Sequence, residues 1–587
     1  MTLLYDAPIE DMRFLQAHVT GLSRLRSLPQ FEGITADLAH AILEEAARFA
    51  NEVIAPLNPA SDRQPASLQA DQVQTSPGYR EAYQKFIKGG WNGLDCSPET
   101  GGQGLPQSLS MNVNEMWHSA SLSFALCPML TSGAIHAVQG HASADLQARY
   151  LKRLVSGEWT GTMNLTEPQA GSDLAAITTR AVPEDDHYRL FGTKIFITYG
   201  DHDLTDNIVH LVLARLPDAP AGIKGISLFL VPKQIETTEG QTVRNDVVCT
   251  ALEHKVGIHG SPTAVMTFGD NEGAIGYLVG QANQGLFYMF TMMNHARLQV
   301  GLQGVAVSQR AFQLAREYAH TRRQGSTLLK TGGQGMIEDH PDVRRLLLTM
   351  ESTVQAMRAL ALEAATELDL STQADAQAAQ RAQVRADLLI PVVKGWCTEQ
   401  AVEITSMAMQ VHGGMGYIEE TGIGQLWRDA RITPIYEGTT AIQANDFVSR
   451  KLLRDQGQAM QGLLADMLTV CKALADSQQS MLQTLGLQLQ QATDTLQSCL
   501  DFILSRQEAD RSAVYFTSVP LLMLTGFVAG GWMLGRCALA AMAESTICET
   551  TQAQHLKLAS AYGQLVLMPA LGLSHSILHG HEVLTHL

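Results

Sequence analysis

The chain reads as an α+β protein, mostly α, with a β-rich segment held between long helical stretches. Three observations predict this. Before residue 160 and again after residue 286, apolar residues recur every three or four positions, the spacing that gives a helix one buried face. Between those stretches, short runs of β-branched and aromatic residues alternate with Gly, Pro, Asn and Asp. After residue 450 the helical pattern restarts, so a further helical unit follows.

In chain order, residues 1–160 are expected to be helical, as in residues 37–50, with loops at the glycine clusters 89–93 and 101–104. Residues 161–285 carry the strand-like runs 195–198, 208–213, 226–231 and 264–268, expected as an antiparallel barrel or sandwich. Residues 286–450 return to helix, and the polar, Gln/Ala-rich stretch 371–378 predicts a connection between two long helices. Residues 451–587 form an additional helical domain. Leu482, Leu485, Leu489, Ala492, Leu496, Leu500 and Ile503 mark one stripe, and Leu463, Leu464, Met467, Val470, Cys471 and Leu474 another. These stripes read as bundle core, with a coiled-coil surface as the weaker reading.

A length of 587 residues exceeds one ordinary core, in keeping with several units. The 41 Lys and Arg against 58 Asp and Glu give a net charge of −17, which argues against nonspecific nucleic-acid binding. The eight cysteines (Cys96, Cys127, Cys249, Cys397, Cys471, Cys499, Cys537 and Cys548) form no CxxC pair. They are expected as reduced core thiols of a cytoplasmic protein, with no metal site. The N-terminus lacks a basic region followed by an apolar run, so no secretory leader is expected. Residues 519–542 approach the length of a membrane span, but Pro520, Gly530, Gly531, Gly535 and Arg536 interrupt them. A buried or interface helix is expected, with peripheral membrane contact left open.

The chemistry concentrates at Glu437. It has Pro434, Ile435 and Tyr436 on one side and Gly438, Thr439 and Thr440 on the other, and the next acidic residue is Asp446. Desolvation by such neighbours raises a carboxylate toward the range of a general base. Gly438 lets a substrate approach the backbone closely. Segment 163–173 (MNLTEPQAGSD) carries donors suited to a flat ring, and Arg322 in 318–325 (YAHTRRQG) presents a planar fork suited to phosphate oxygens; 192–200 (GTKIFITYG), 294–297 (NHAR) and 410–417 (QVHGGMGY) stand out beside them.

Together with IYEGTTAIQ at 435–443, these segments resemble, in order, the motifs of the acyl-CoA dehydrogenase family, and the length resembles its long bacterial branch with a C-terminal helical extension. The resemblance implies an N-terminal helical domain, a middle β-domain, a C-terminal four-helix bundle and the appended helical domain. It implies FAD and an acyl-CoA substrate, with Glu437 as the catalytic base. Leu165 and Thr166 would contact the isoalloxazine ring, Phe196 (where Trp is common) would pack on it, and Thr198 would serve its N5 and O4 edge. Arg322 would reach the pyrophosphate of a neighbouring subunit's FAD, with Gln324 and His340 nearby, although the family Phe is missing and an insertion occupies 326–338. Gln410, Gly413 and Gly414 would hold the adenosine half across a dimer interface, and Thr439 would complete the cofactor contacts, Ala441 replacing a common Gln. Ser172, Asn294, Arg297, Tyr436 and Gly438 would serve the substrate, Asn294 replacing a common acidic residue.

The activity so implied is removal of the α-proton by Glu437 with β-hydride transfer to flavin N5, giving a trans-2-enoyl-CoA. The thioester carbonyl would be polarised by the Glu437 backbone N–H and the flavin's ribityl hydroxyl. Electron-transfer flavoprotein is the expected acceptor, within fatty acid β-oxidation. An acyl-CoA oxidase is the nearest alternative, and a silent acyl-CoA-binding scaffold is another. A DNA-associated flavoprotein is a third, disfavoured because residues 451–587 hold seven Lys and Arg against ten Asp and Glu, a balance of −3.

Overall fold

The computed structural model describes residues 5–236, 240–326 and 334–586. Residues 1–4, part of the stretch read for a leader, lie outside the described residues, as do 237–239, 587 and residues 327–333 of the expected insertion. The chain divides into two compact units, each taken by itself.

One unit comprises Phe49–Leu105 and Ala120–Ala296. Its centre is an eight-stranded sheet of β1 (Thr160–Asn164), β2 (Arg180–Glu184), β3 (His187–Thr198), β4 (Ile208–Arg215), β5 (Ile226–Pro232), β6 (Val247–Leu252), β7 (Thr263–Phe268) and β8 (Ala274–Val279). The strand order is β6-β7-β3-β8-β5-β4-β1, with β2 beside β3 and β4. Most pairs are antiparallel as expected, but β1 runs parallel to β4, Thr160 opposite Ile208. That difference arises because the long connection from 165 to 207 returns the chain to the same end of the sheet, where a tight hairpin would have reversed it. β5 is buried throughout and β4 in all but its last residue, matching their unbroken apolar runs. Leu190, Val212, Phe229, Val231 and Phe268 form the core around them. Helix α1 (Leu122–His141), apolar on nearly every face, packs against β1, and the Ser121 hydroxyl caps it by accepting from the Phe124 N–H.

The other unit comprises the chain up to Arg48, Pro106–Ser119 and Arg297 onward. Helix α2 (Gly285–Thr321) enters it at Arg297. There follow α3 (Pro341–Leu370), α4 (Ala376–His412), α5 (Ile423–Ala430), α6 (Thr440–Asp446), α7 (Gln458–Ala475), α8 (Ser480–Arg506), α9 (Ser518–Ala543) and α10 (Glu549–Tyr562). The expected connection lies between α3 and α4, and Asp375 starts α4 by accepting from the Gln377 and Ala378 N–H groups. In α8 the whole predicted stripe is buried, and in α7 all of its stripe but Val470, which is half-buried.

The apolar run 519–542 is α9, packed on α3, α4, α7, α8 and α10. A Cβ on Gly526 would stand 2.2 Å from Trp396 Cγ, so only glycine lets α9 approach α4 this closely. Arg536, which breaks the run, donates to the Val19 carbonyl at 2.6 Å and pairs with Glu363 at 3.1 Å. Its charge is satisfied inside the protein. By length and composition alone Leu122–His141, Ser518–Ala543 and Glu549–Leu584 could each cross a membrane; the first two are mostly buried in the fold and the third is not. Seven cysteines are buried as expected, but Cys548 is exposed, because it begins α10 outside that helix's packed face.

Candidate active site

After α5 the chain turns sharply, and Glu437 (φ +56°) and Gly438 (φ +87°) both occupy the left-handed region. For Glu437 that conformation is strained and must be held by its surroundings. A Cβ on Gly438 would stand 2.8 Å from Gln443 Nε2, so the position requires glycine. Three helices pin the turn. Gln443 Nε2 on α6 donates to the Glu437 and Gly438 carbonyls at 3.0 and 3.3 Å. Lys394 Nζ on α4 donates to the Gly438 carbonyl at 2.6 Å. The Tyr436 hydroxyl donates to Gln303 Oε1 on α2. Thr439, assigned above to cofactor contact, caps α6 by accepting from the Ile442 N–H at 3.3 Å. Its hydroxyl is therefore engaged within the turn.

Glu437 is half-buried. Burial pushes its carboxyl up to about 7, while Arg297 and Lys394 pull the other way. Burial also pushes the Lys394 ammonium down to about 7, partly countered by Glu437. Arg297 is buried and faces Asp446 at 3.5 Å. The cluster is thus a carboxyl and an ammonium that both gain or lose a proton near neutrality, beside the Arg297 guanidinium. Asn294 stands one turn before Arg297 on α2, within the other unit.

A second group gathers where α2 and α4 end. The Tyr318 and His412 rings stack with centroids 4.6 Å apart, bringing these helix ends together. Arg322 and Gln324 are exposed just beyond α2, and His340 Nε2 lies 2.8 Å from the Gln324 carbonyl. Gln410 is exposed at the end of α4, followed by exposed Gly413 (φ +59°) and Gly414, around whose Cβ positions there is open space. About 24 Å of helix separates Lys394 from Gln410. Within one chain this group therefore stands apart from Glu437.

In the other unit, the loop carrying Leu165 and Thr166 is tied to β3. The Ile195 N–H donates to the Thr166 carbonyl at 2.9 Å, and Lys194 Nζ to the Leu165 carbonyl at 3.0 Å. Lys194 also pairs with Glu167 at 2.8 Å, both fully buried. Burial alone would raise the Glu167 carboxyl, but Lys194 and hydrogen bonds from Thr178 and Thr179 outweigh it and hold it at about 2. Beside this loop Phe196, 58% exposed and at φ +59°, presents its ring at the strand end, with half-buried Thr198 two residues on. Ser172 is exposed on the same loop. Among the described residues no group of His, Cys, Asp or Glu is arranged to hold a metal.

This donor set suits a flavin dinucleotide. An exposed aromatic face with hydroxyls and backbone groups beside it fits a flat polar heterocycle, and an exposed guanidinium next to open glycines fits a pyrophosphate and its nucleoside. Lys394, Gln303, Lys194 and Glu167 were not identified as functional from sequence. The signal for Lys394 was a lone charge in the apolar run 388–396, which demands a buried partner.

The chain matches the acyl-CoA dehydrogenase N-terminal domain over residues 37–158, the middle domain over 162–271 and the C-terminal domain over 283–453. Residues 460–587 match a domain described as acetyl-CoA dehydrogenase C-terminal like. It is 46% identical to a 3-methylmercaptopropionyl-CoA dehydrogenase of Ruegeria pomeroyi, covering 96% of each chain. To a butyryl-CoA dehydrogenase of Syntrophomonas wolfei it is 34% identical, over 92% of this chain and 90% of that one. A Bacillus anthracis acyl-CoA dehydrogenase complexed with FAD shares the fold, with a TM-score of 0.75 at 20% identity over 97% and 91% of the two chains.

Proposed function

The chain belongs to the acyl-CoA dehydrogenase family, and from that premise we propose that Glu437 removes the α-proton of a short acyl-CoA thioester to give a trans-2-enoyl-CoA. That the protein is an FAD-dependent oxidoreductase acting on acyl-CoA follows from the family. The observation that carries the finer reading is a single half-exposed carboxyl, raised to about 7 and held in a strained turn. A carboxylate of that basicity accepts a proton near neutral pH from a weakly acidic carbon. The Glu437 backbone N–H would polarise the thioester carbonyl, as the family resemblance implies. Bound FAD supplies the acceptor for the β-hydride. Leu165, Thr166, Phe196 and Thr198 would hold its ring, and Arg322, Gln410, Gly413 and Gly414 the dinucleotide of a neighbouring copy. Ser172, Asn294 and Arg297 would serve the acyl-CoA.

The relative named for 3-methylmercaptopropionyl-CoA supports that thioester as the first substrate to test, with butyryl-CoA second. A homodimer is supported by the exposed apolar side chains of Met415, Tyr417 and Ile418 beside the second residue group. Electron-transfer flavoprotein is the acceptor this reading requires, and the cytoplasm is the compartment the unpaired cysteines favour. The stretch Glu549–Leu584, apolar enough to cross a membrane yet mostly not buried in the fold, supports a peripheral membrane contact. Glu437→Gln should retain yellow FAD and bind acyl-CoA without bleaching the flavin anaerobically. Bleaching at the unmodified rate would overturn the assignment.

A further inference from the structure

Lys394 sits at the centre of the catalytic turn, yet proton abstraction by Glu437 gives it no role. Its side chain is completely buried, and its ammonium donates at 2.6 Å to the carbonyl of Gly438, the residue after the base. It comes from the middle of α4, three residues after Pro391, within a run that is otherwise apolar. Burying an ammonium is costly unless a carbonyl and a counter-charge repay the lost hydration. Here the carbonyl is Gly438 and the counter-charge is Glu437, whose influence on Lys394 exceeds that of any other charged group.

Resting on the reading of Glu437 as the base, we propose that Lys394 is its positioning residue. The ammonium clamps the Gly438 carbonyl, fixes the left-handed turn that aims the Glu437 side chain, and supplies a positive charge beside the carboxylate. The other groups facing this pair are Arg297 on α2, Glu399 on α4, Tyr436, and Asp446 on α6, which pairs with Arg297 and with Arg450. Lys394 both bonds the turn's backbone and bears on the carboxylate's charge. A neutral donor at its position would keep the first role and lose the second.

Lys394→Gln and Lys394→Met separate the two roles. Both should retain FAD in the full-length protein. In single-turnover flavin reduction by acyl-CoA, the Gln variant should keep most of the high-pH rate. Its acidic limb should move upward by about one pH unit or more, because Lys394 pulls the Glu437 carboxyl downward and a nearby opposite charge has an effect of that order. The Met variant should show the same displacement and also lose at least tenfold in limiting rate at every pH, with little change in KM. An acidic limb unmoved in a folded Gln variant overturns the proposal. So does failure of both variants to fold with FAD, since Lys394 would then hold the domain together rather than aim the base. Glu437→Gln, assayed alongside, tells the two ideas apart. Normal bleaching there sinks the assignment of the base, whereas lost bleaching with an unmoved Lys394→Gln limb sinks only this inference.

Discussion

At the scale of single residues, the catalytic proposal depends on one carboxyl and the charges around it. With Glu437 raised to about 7, the ionised base becomes available only as pH rises through that value. The kcat/KM of the unmodified enzyme should therefore climb about tenfold per pH unit below 7 and level off above it. A pH profile with its limb near 4 would show that the carboxyl is not desolvated. For stability the sign is opposite. A raised carboxyl favours the folded state at low pH, and that contribution fades as pH rises from 4.5 toward 7. Glu437 stood out in the sequence through the motif at 435–443, whereas its apolar flanks and following glycine taken alone suit a solvated turn as well. Lys394 lies 43 residues earlier, and only the fold brings α4 against the turn.

At the scale of elements, the loop 165–172 and strand β3 form one rigid surface because a buried ion pair joins them. Lys194→Met would strand the Glu167 carboxylate without its partner, and breaking such a pair typically costs about 3–5 kcal/mol. FAD content, read from the absorbance of purified protein, should fall sharply along with the melting temperature. Unchanged flavin retention would show that this loop does not hold the ring. The helices themselves were read well from periodicity, as the buried stripe of α8 shows. The parallel pairing of β1 with β4 was not, because alternation along a strand reports its buried faces and carries no information about the direction of its neighbour.

At the scale of the whole chain, the appended domain is tied into its unit by charge as well as by apolar packing. Glu363 on α3 is buried between Arg24, at 2.7 Å, and Arg536 on α9, at 3.1 Å. Burial would raise its carboxyl, but Arg536 and Arg24 outweigh burial and hold it at about 2. A depressed carboxyl stabilises the fold above the ordinary carboxylate range, and that stability drains away as pH falls from 4.5 toward 2. Arg536→Met, which leaves Glu363 paired with Arg24 alone, should lower stability at pH 7 by about 1–3 kcal/mol. The loss should shrink on acidification, which thermal melts at pH 7 and pH 3 would reveal. Equal losses at both pH values would exclude this ion pair as the cause.

Local signals in the sequence determined the mostly helical class, the β-rich middle and the stripes of the appended domain, while the candidate base came from a motif resemblance. Periodicity, turn residues and the neighbours of a carboxyl act over a few positions. Only the tertiary structure decided the strand direction at the sheet edge, the pairing of Arg536 inside the protein, the anchoring of the 165–172 loop by Lys194 and the clamp of Lys394 on Gly438. Each of these joins groups far apart in the chain. A buried charge announces that it needs a partner, but the chain must fold before the partner is chosen.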